Sequence, residues 1–261
     1  MRRPEYLFGD DEGAAQRLEL LASVYRESTG AFLRKAAGDA SFKLALDLGC
    51  GPGLTTHLLN DTLRCERVIG LDASADYVEL ARSSRVEGVA FLHHDITATP
   101  FPCDRANLIF ARFLLTHLRD VAEVVAKWAT QLEDGGLLLL EETEAIKTIN
   151  PAFTRYLALV EAMLVSQANQ LYAGRLIARL DSPGGLRCTF SELHRLAVAN
   201  RDAARMFALN LDSFKHNDFV QANYSPSYML ELADDLRDIA ASELPAREIE
   251  WAMRQAAWFK E

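Results

Sequence analysis

Residues 47–53 read Asp-Leu-Gly-Cys-Gly-Pro-Gly, and this stretch decides the fold of the 261-residue chain. The apolar run Leu44–Leu48 is typical of a buried parallel strand, and a helix is predicted from about Leu54. Glycines between strand and helix let a ligand approach the backbone, while the helix N-terminus offers N–H groups and a positive dipole end. We expect an anionic group there, although the turn alone also fits a tight connection that binds nothing.

Strand and helix patterns alternate on both sides of this turn. After a helical pattern over residues 10–37, further strands are predicted at Arg67–Asp72, Val89–Leu92, Ala106–Ala111 and, after a turn at Gly135-Gly136, Leu137–Glu141. Helices are predicted at Ala75–Ser83 and Val121–Leu132. This alternation predicts an α/β fold, with a parallel sheet covered by helices on both faces. Ligands of such sheets bind beyond the C-terminal strand ends, where the strand order reverses.

The rhythm changes after Pro151. Helical patterns cover Pro151–Leu180 and residues 200–242, with a break at Tyr224–Pro226, and strands are predicted at Cys188–Val198 and Ile249–Trp258. The last strand is expected to pair antiparallel at the sheet edge. We predict one domain over residues 1–261: a helical segment (1–42), a ligand-binding core (43–150), helical lid insertions (151–185 and 200–245) and two final strands (186–198 and 247–259).

Composition and charge exclude several classes of protein. A net charge of −9 argues against a nucleic-acid partner, because phosphate backbones are bound by clustered Lys and Arg. The apolar run Leu137–Leu140 is far too short for a membrane span, and the first residues lack the apolar stretch of a secretory signal. We therefore expect a cytoplasmic protein without a membrane partner. The four cysteines form no C-x-x-C pair, so we predict neither a metal site nor a disulfide framework.

Two acidic residues strengthen the prediction of a nucleotide-like ligand. Asp72 ends the second strand about 20 residues after the glycine turn, where an acid accepts hydrogen bonds from ribose hydroxyls. Asp95 follows the third strand, where its carboxylate is placed to accept from an adenine amino group and the Ile96 N–H to meet a ring nitrogen. The alternative for Asp95 is that it caps a turn.

Together these segments resemble the class I S-adenosylmethionine-dependent methyltransferases, in particular the group that acts on small molecules. The resemblance rests on five motifs, LDLGCGPG, GLDAS, HDI, ARFLLTHL and LEDGGLLLLEE, at residues 46–53, 70–74, 94–96, 111–118 and 132–142. It implies a Rossmann-like sheet of seven strands, mostly parallel with the last one antiparallel. It also implies S-adenosylmethionine as cofactor and S-adenosylhomocysteine as product.

The resemblance assigns the cofactor contacts by position. The backbone of Gly49, Gly51 and Gly53 would face the methionine part, Asp72 the ribose, and Asp95 with Ile96 the adenine. Ala111 and Arg112, at the end of the fourth strand, would lie beside the sulfonium. Cys50 in the turn and Ala73 beside Asp72 complete the predicted cofactor-binding set.

His117 is the candidate general base, since it follows the fourth strand and imidazole titrates near neutral pH. Glu141, the second predicted catalytic residue, or Glu142 is placed to orient that imidazole or to bind a cationic acceptor. The alternatives are that His117 bonds only to backbone at a helix start and that Glu142 is solvated.

The resulting hypothesis is methyl transfer to an oxygen, nitrogen or carbon atom of a small-molecule acceptor by a monomer or homodimer. One alternative is an NAD(P)-dependent oxidoreductase, whose fingerprint also combines glycines with an acid after the second strand. Leu54 stands where that fingerprint has its last glycine, which disfavours it. The other alternative is a catalytically inactive S-adenosylmethionine-binding regulatory protein.

Overall fold

The computed structural model describes residues 12–261 of the chain. The helices in this part are α1 (Glu12–Ala37), α2 (Leu54–Thr62), α3 (Ala75–Ser83), α4 (Val121–Ala129), α5 (Pro151–Ser166), α6 (Gly174–Ile177), α7 (Asn200–Phe214), α8 (Asp218–Asn223) and α9 (Pro226–Ala241). The strands are β1 (Ser41–Leu48), β2 (Arg64–Asp72), β3 (Val89–His93), β4 (Ala106–Arg112), β5 (Leu132–Thr148), β6 (Arg187–Val198) and β7 (Ile249–Phe259). The first eleven residues of the predicted N-terminal segment lie outside the described residues.

The strands form one seven-stranded sheet in the order β3-β2-β1-β4-β5-β7-β6. Strands β1 to β5 pair in parallel with their neighbours. Strand β7 runs antiparallel to β5, since backbone bonds of 2.9 Å join Gly135 and Gly136 near the start of β5 to Lys260 just after β7. The predicted Rossmann-like sheet with an antiparallel last strand is confirmed. The expected position of that strand at the sheet edge is wrong, because β6 lies beyond β7 and forms the edge. The strand order reverses between β1 and β4, so the loops after these two strands flank the expected ligand crevice.

Alternate residues of the central strands pack against helices on opposite faces of the sheet. Leu46 and Leu48 of β1 share a buried cluster with Trp128 of α4. Ala45 of β1 belongs to another cluster, with Leu33 of α1 and with side chains of α2. Because successive side chains of a strand point to opposite faces, β1 is apolar on both sides. This is why its sequence reads as a continuous apolar run.

The chain divides into two compact units. The core unit contains Tyr25–Glu144, Tyr172–His194 and Met253–Glu261, and it holds β1 to β4 with most of the rest of the sheet. The helical unit contains the described residues up to Val24, Ala145–Leu171 and Arg195–Ala252. The single domain over residues 1–261 stays a prediction.

Aromatic side chains form the interior of the helical unit. Tyr156 of α5 stacks on Phe207 of α7 with ring centroids 4.0 Å apart, and Trp251 lies 5.7 Å from the same Phe207 ring. Asn210 donates a 2.7 Å hydrogen bond to the Tyr156 hydroxyl. Nowhere in residues 12–261 is there a helix long and apolar enough to cross a membrane.

The helix predicted over Pro151–Leu180 is wrong in its length, because α5 ends at Ser166. Ala168 adopts a left-handed conformation with φ of 61°. Asn169 N–H donates to the Leu164 carbonyl at 2.9 Å and Ala168 N–H to that of Val165 at 3.0 Å. This pair of bonds is the Schellman ending, in which glycine is the usual left-handed residue. An alanine there leaves no visible stop signal in the sequence.

The predicted boundary between α4 and β5 is also wrong. Helix α4 ends at Ala129, Leu132 already belongs to β5, and the predicted turn at Gly135-Gly136 lies inside that strand. Ala106 and Leu108 of β4 pair with Leu132 and Leu137 of β5, so β5 carries extra residues in between. The φ of Gly135 is 81°, as a β-bulge with a left-handed glycine requires.

Candidate active site

The glycine turn after β1 is fastened to the end of β2. The N–H groups of Gly49 and Cys50 both donate to the Leu71 carbonyl, at 2.8 and 3.1 Å. Gly53 then donates to the Cys50 carbonyl at 3.0 Å and, with a φ of 89°, caps the N-terminus of α2. The ends of β1 and β2 and the start of α2 are therefore held together as one backbone unit.

The structure gives two of these glycines a packing reason in addition to the ligand approach that the sequence predicts. A Cβ atom at Gly53 would lie 2.7 Å from the Phe91 ring, and one at Gly49 would lie 2.7 Å from a methyl carbon of Leu114. Both residues also have positive φ. A side chain at either position would therefore strain the backbone and displace a neighbouring side chain.

Asp72 is clamped against the glycine turn. Its Oδ2 accepts from the Gly51 N–H and its Oδ1 from the Ser74 N–H, both at 2.8 Å. Burial raises the pKa of Asp72, and the backbone donors Ser74, Gly51 and Ala73 oppose that rise. Each carboxylate oxygen has two lone pairs, so these bonds leave acceptor capacity for a ligand.

Asp95 lies in a turn after β3, as its alternative interpretation expects. The Asp95 side chain is exposed, and its Oδ1 accepts from the Thr97 N–H at 3.0 Å and the Thr97 hydroxyl at 2.7 Å. Ile96 is buried in the core, with its carbonyl accepting from Trp128 Nε1 at 2.8 Å. The contacts of Asp95 and Ile96 with adenine stay a prediction.

Asp47 was not among the predicted site residues, yet its side chain holds the start of α2 against the end of β1. Its side chain is 1% exposed, and its Oδ2 accepts from the Thr55 hydroxyl at 2.6 Å and the Thr56 hydroxyl at 2.7 Å. Burial raises its pKa to about 6. The threonines tie the first turn of α2 to the end of β1. An acid before the first glycine, with two hydroxyl residues early in the next helix, was the available signal.

Arg112, the last residue of β4, and Glu141, inside β5, are paired in register and belong to a buried polar network. Arg112 Nη1 donates to the Thr29 hydroxyl at 2.9 Å, and that hydroxyl donates to Glu141 Oε2 at 2.6 Å. Gln255 Nε2 donates to Glu141 Oε1 at 2.6 Å. Sequence reasoning missed Thr29 and Gln255, which no local motif marks. Ala111, the other residue predicted beside the sulfonium, is fully buried in the core.

Glu142 is not solvated, which corrects that interpretation. Its side chain is 2% exposed, and its Oε1 accepts from the N–H groups of Leu114 at 2.6 Å and Leu115 at 2.7 Å. Burial raises the pKa of Glu142 to about 8, against the effect of these two donors. Through the two backbone donors, Glu142 fastens the segment that follows β4. Glu144, farther along β5, pairs with Arg254 at 2.6 Å.

Changing Glu142 to glutamine should remove a pH dependence of stability. The raised pKa means that the folded protein keeps a proton at Glu142 above pH 4.5, where the unfolded chain has lost it, so stability falls as pH rises toward 8. Glutamine keeps an oxygen for both backbone donors without titrating. Between about pH 6 and about pH 8, denaturant unfolding should show the wild type losing on the order of 2 kcal/mol relative to Glu142→Gln.

The exposed Glu66 provides the matched control for this prediction, since Glu66→Gln removes a surface carboxylate from the same unit. It should follow the wild-type pH profile. Parallel profiles for the wild type and Glu142→Gln would contradict the assigned protonation of Glu142.

His117 lies in a short 3-10 turn, Leu115–His117, directly after the segment that Glu142 holds. The side chain is half-buried, and its backbone N–H donates to the Leu114 carbonyl at 3.0 Å. Phe113, at the start of this segment, has a φ of 53°. A bulky residue in the left-handed region is uncommon and occurs where surrounding contacts determine the backbone. The role of His117 as a base stays a prediction.

The segment that contains the glycine turn was compared with known protein families. A family model described as a methyltransferase domain matches residues 46–140, which include the glycine turn, Asp72, Asp95 and Arg112. Residues 46–140 are therefore similar to a methyltransferase domain. Thr29, Glu141 and Glu142 lie outside the matched residues.

Curated relatives of this methyltransferase domain include trans-aconitate 2-methyltransferases. The protein from Methylobacterium radiotolerans is 31% identical over 167 residues, which are 64% of this chain and 58% of that protein. The one from Rhizobium etli is 35% identical over 97 residues, 37% of each chain. The chain thus spans between about a third and three-fifths of the length of these relatives.

Among solved structures, the methyltransferase fold is shared with phosphoethanolamine N-methyltransferase 2 from Haemonchus contortus. The TM-score is 0.56 at 14% identity, over 97% of this chain and 60% of that one. That structure holds phosphomonomethylethanolamine and S-adenosylhomocysteine. At this level of identity the likeness concerns the fold.

Proposed function

We propose that this chain transfers a methyl group from S-adenosylmethionine to an oxygen, nitrogen or carbon atom of a small organic acceptor, with release of S-adenosylhomocysteine. The observation that carries the proposal is the 2.8 Å bond between the Gly51 N–H and the Asp72 carboxylate. It brings a hydrogen-bond acceptor for ribose hydroxyls to the glycine turn, at the strand ends where open α/β sheets bind nucleotides. Both belong to the segment that the methyltransferase family model matches.

The residues around the turn suit a donor that carries a positive sulfonium. Asp72 would hold the ribose hydroxyls, and the turn backbone from Gly49 to Gly53, with Cys50, would face the methionine part. Ala73, Asp95 and Ile96 would meet the adenosine, while Ala111 and Arg112 would lie near the sulfonium. The buried carboxyl of Asp47 and the half-buried carboxyl of Asp72 provide negative charge beside the turn, which favours a cation by Coulomb attraction.

The chain's main task in such a transfer is alignment and exclusion of water. When bound, S-adenosylmethionine supplies a methyl group activated for in-line displacement, so most of the rate enhancement comes from holding the acceptor in line. Glu142 supports this by fixing the segment that carries Leu114 and His117. His117 would take a proton from an acceptor that must lose one. Glu141, whose two oxygens already accept from Thr29 and Gln255, would act through these neighbours.

The first acceptor to test is a small carboxylic acid, because relatives that share part of this chain are named for trans-aconitate. Purified protein would be incubated with labelled S-adenosylmethionine and trans-aconitate, followed by a panel of small acids, phenols and amines. We expect equal amounts of methylated product and S-adenosylhomocysteine with at least one acceptor. Bound cofactor without turnover across the panel would favour the inactive regulatory protein. Cytoplasmic location and a monomer or homodimer remain predictions.

Replacing His117 by glutamine should lower kcat by about 100-fold for an acceptor whose reacting atom carries a proton, because a positioned base contributes on the order of 100-fold or more. Affinity for S-adenosylhomocysteine should stay unchanged. A carboxylate acceptor is ionised at neutral pH and needs no base, so its kcat should be unaffected by the same change. An unchanged kcat for a proton-bearing acceptor would exclude His117 as the base.

A further inference from the structure

Arg112 is a buried cation with little direct compensation. The residue is 9% exposed, and burial lowers its pKa while Glu141 and Asp47 oppose that change. Its hydrogen-bond acceptor, the Thr29 hydroxyl, is uncharged, and within residues 12–261 no ion pair joins Arg112 to a carboxylate. A buried guanidinium ordinarily binds a carboxylate directly, often with two parallel N–H···O bonds. The Nη1 contact with Thr29 leaves most of its five N–H donors for another group.

The neighbouring carboxylate of Glu141 accepts from other groups and makes no direct hydrogen bond with Arg112. Glu141 accepts from the Thr29 hydroxyl on Oε2 and from the Gln255 amide on Oε1, both at 2.6 Å. The Thr29 hydroxyl stands between the two charges, because it accepts from Arg112 and donates to Glu141. The nearby Glu141 carboxylate thereby stabilises the guanidinium electrostatically, but it makes no bidentate hydrogen bond with it.

The position of Arg112 places this cation at the crevice. Ala111 is paired in register with Leu48, the residue before the glycine turn, so Arg112 follows at the same strand-end level as Gly49. The network residues come from α1, β4, β5 and β7. These residues, Thr29, Arg112, Glu141 and Gln255, all lie within the core unit. Four separate elements thus converge to hold one side chain beside the turn.

We propose that Thr29, Glu141 and Gln255 are positioning residues that hold Arg112 for binding a carboxylate of a ligand seated at the glycine turn. This inference rests on the proposed function, which supplies two such carboxylates. One belongs to the methionine part of the donor, and the other to a carboxylic acid acceptor. The chemistry of recognition is the same for both, and titration distinguishes them.

The test compares Thr29→Val with the wild type by calorimetry. Valine keeps the shape of threonine but removes the hydroxyl that links Arg112 to Glu141. For a donor carboxylate, S-adenosylhomocysteine should bind about 10-fold more weakly, while 5′-methylthioadenosine, which lacks the amino-acid part, should bind as before. If Arg112 binds an acceptor carboxylate, the affinity for S-adenosylhomocysteine should be unchanged. The protein loaded with S-adenosylhomocysteine should then bind trans-aconitate about 10-fold more weakly.

Two further variants separate positioning from a general loss of structure. Thr29→Ser restores a hydroxyl and should recover the affinity. Ser28→Ala removes the adjacent hydroxyl, which donates to the Tyr25 carbonyl of its own helix at 3.1 Å, and should change neither ligand.

Unchanged affinities in both arms, or equal losses for S-adenosylhomocysteine and 5′-methylthioadenosine, would overturn the inference. If the wild-type complex does not bind trans-aconitate, the comparison between the two nucleosides decides alone. A wild type that fails to bind S-adenosylhomocysteine would instead overturn the proposed function.

Discussion

Replacing Asp72 by alanine is expected to weaken the binding of S-adenosylhomocysteine by about 100-fold. A hydrogen bond to a charged group contributes about 1.5–3 kcal/mol, and the proposed carboxylate accepts from two ribose hydroxyls, so a loss of about 3 kcal/mol is reasonable. The change also frees the Gly51 and Ser74 N–H groups from their shared acceptor, which loosens the turn. Calorimetric titration of both proteins at one pH and salt concentration measures the difference.

Asp76, on the exposed side of α3, provides the matched control. Asp76→Ala removes the same charge four positions away and should leave the affinity within about twofold, since an exposed charge is screened by solvent. Asp72→Asn keeps one oxygen acceptor and should fall between alanine and the wild type. An Asp72→Ala protein that binds as tightly as the wild type would show that the ribose lies elsewhere.

Replacing Gly53 by alanine is expected to lower the free energy of unfolding by about 3 kcal/mol. The left-handed backbone, with φ of 89°, costs a residue with a Cβ roughly 1–2 kcal/mol. The new methyl group would also lie 2.7 Å from the Phe91 ring and 3.2 Å from the Ala81 Cβ, and overpacking of this kind adds about 1–3 kcal/mol. Denaturant unfolding, monitored by circular dichroism, gives the value.

Gly135 separates the two contributions to this loss. Its φ of 81° is close to that of Gly53, but a Cβ there would meet nothing within 4 Å. Gly135→Ala should therefore cost only the backbone term of roughly 1–2 kcal/mol. Equal losses at the two glycines would contradict the contact with Phe91 as a reason for glycine at position 53.

The sheet and the donor side of the site were predictable because their signals are local. The apolar run before Gly49 fixes β1, and the glycines fix the turn that follows it. Asp72 is recognisable because it ends the next strand, and parallel neighbours bring their C-terminal ends to one edge. The strand patterns, the glycine motif and the spacing to Asp72 were together enough to predict the glycine turn beside Asp72.

The Arg112 network was not predictable because its members are distant in sequence. Thr29 and Glu141 are separated by 112 positions, and Glu141 and Gln255 by 114. Neither Thr29 nor Gln255 belongs to a motif, and each reads as an ordinary polar residue of its own element. The sheet order puts β7 next to β5 and thereby brings Gln255 to Glu141, whereas Thr29 reaches Arg112 and Glu141 from helix α1.

Two element boundaries failed for a different physical reason. Ala168 ends α5 in a left-handed conformation that sequence reasoning reserves for glycine. Conversely, Gly135 was interpreted as part of a turn between helix and strand, although it forms a bulge within β5. At Ala168 the hydrogen bonds of the helix end hold an alanine in the left-handed region, and at Gly135 pairing with the residue after β7 keeps the glycine inside a strand.

The central claim is that the glycine turn and Asp72 bind S-adenosylmethionine rather than a nicotinamide cofactor. Calorimetric titration of the wild-type chain with S-adenosylhomocysteine and, separately, with NAD tests it most directly. The predicted result is saturable binding of S-adenosylhomocysteine at one site per chain and no heat of binding with NAD. Saturable binding of NAD, or no binding of S-adenosylhomocysteine, would contradict it.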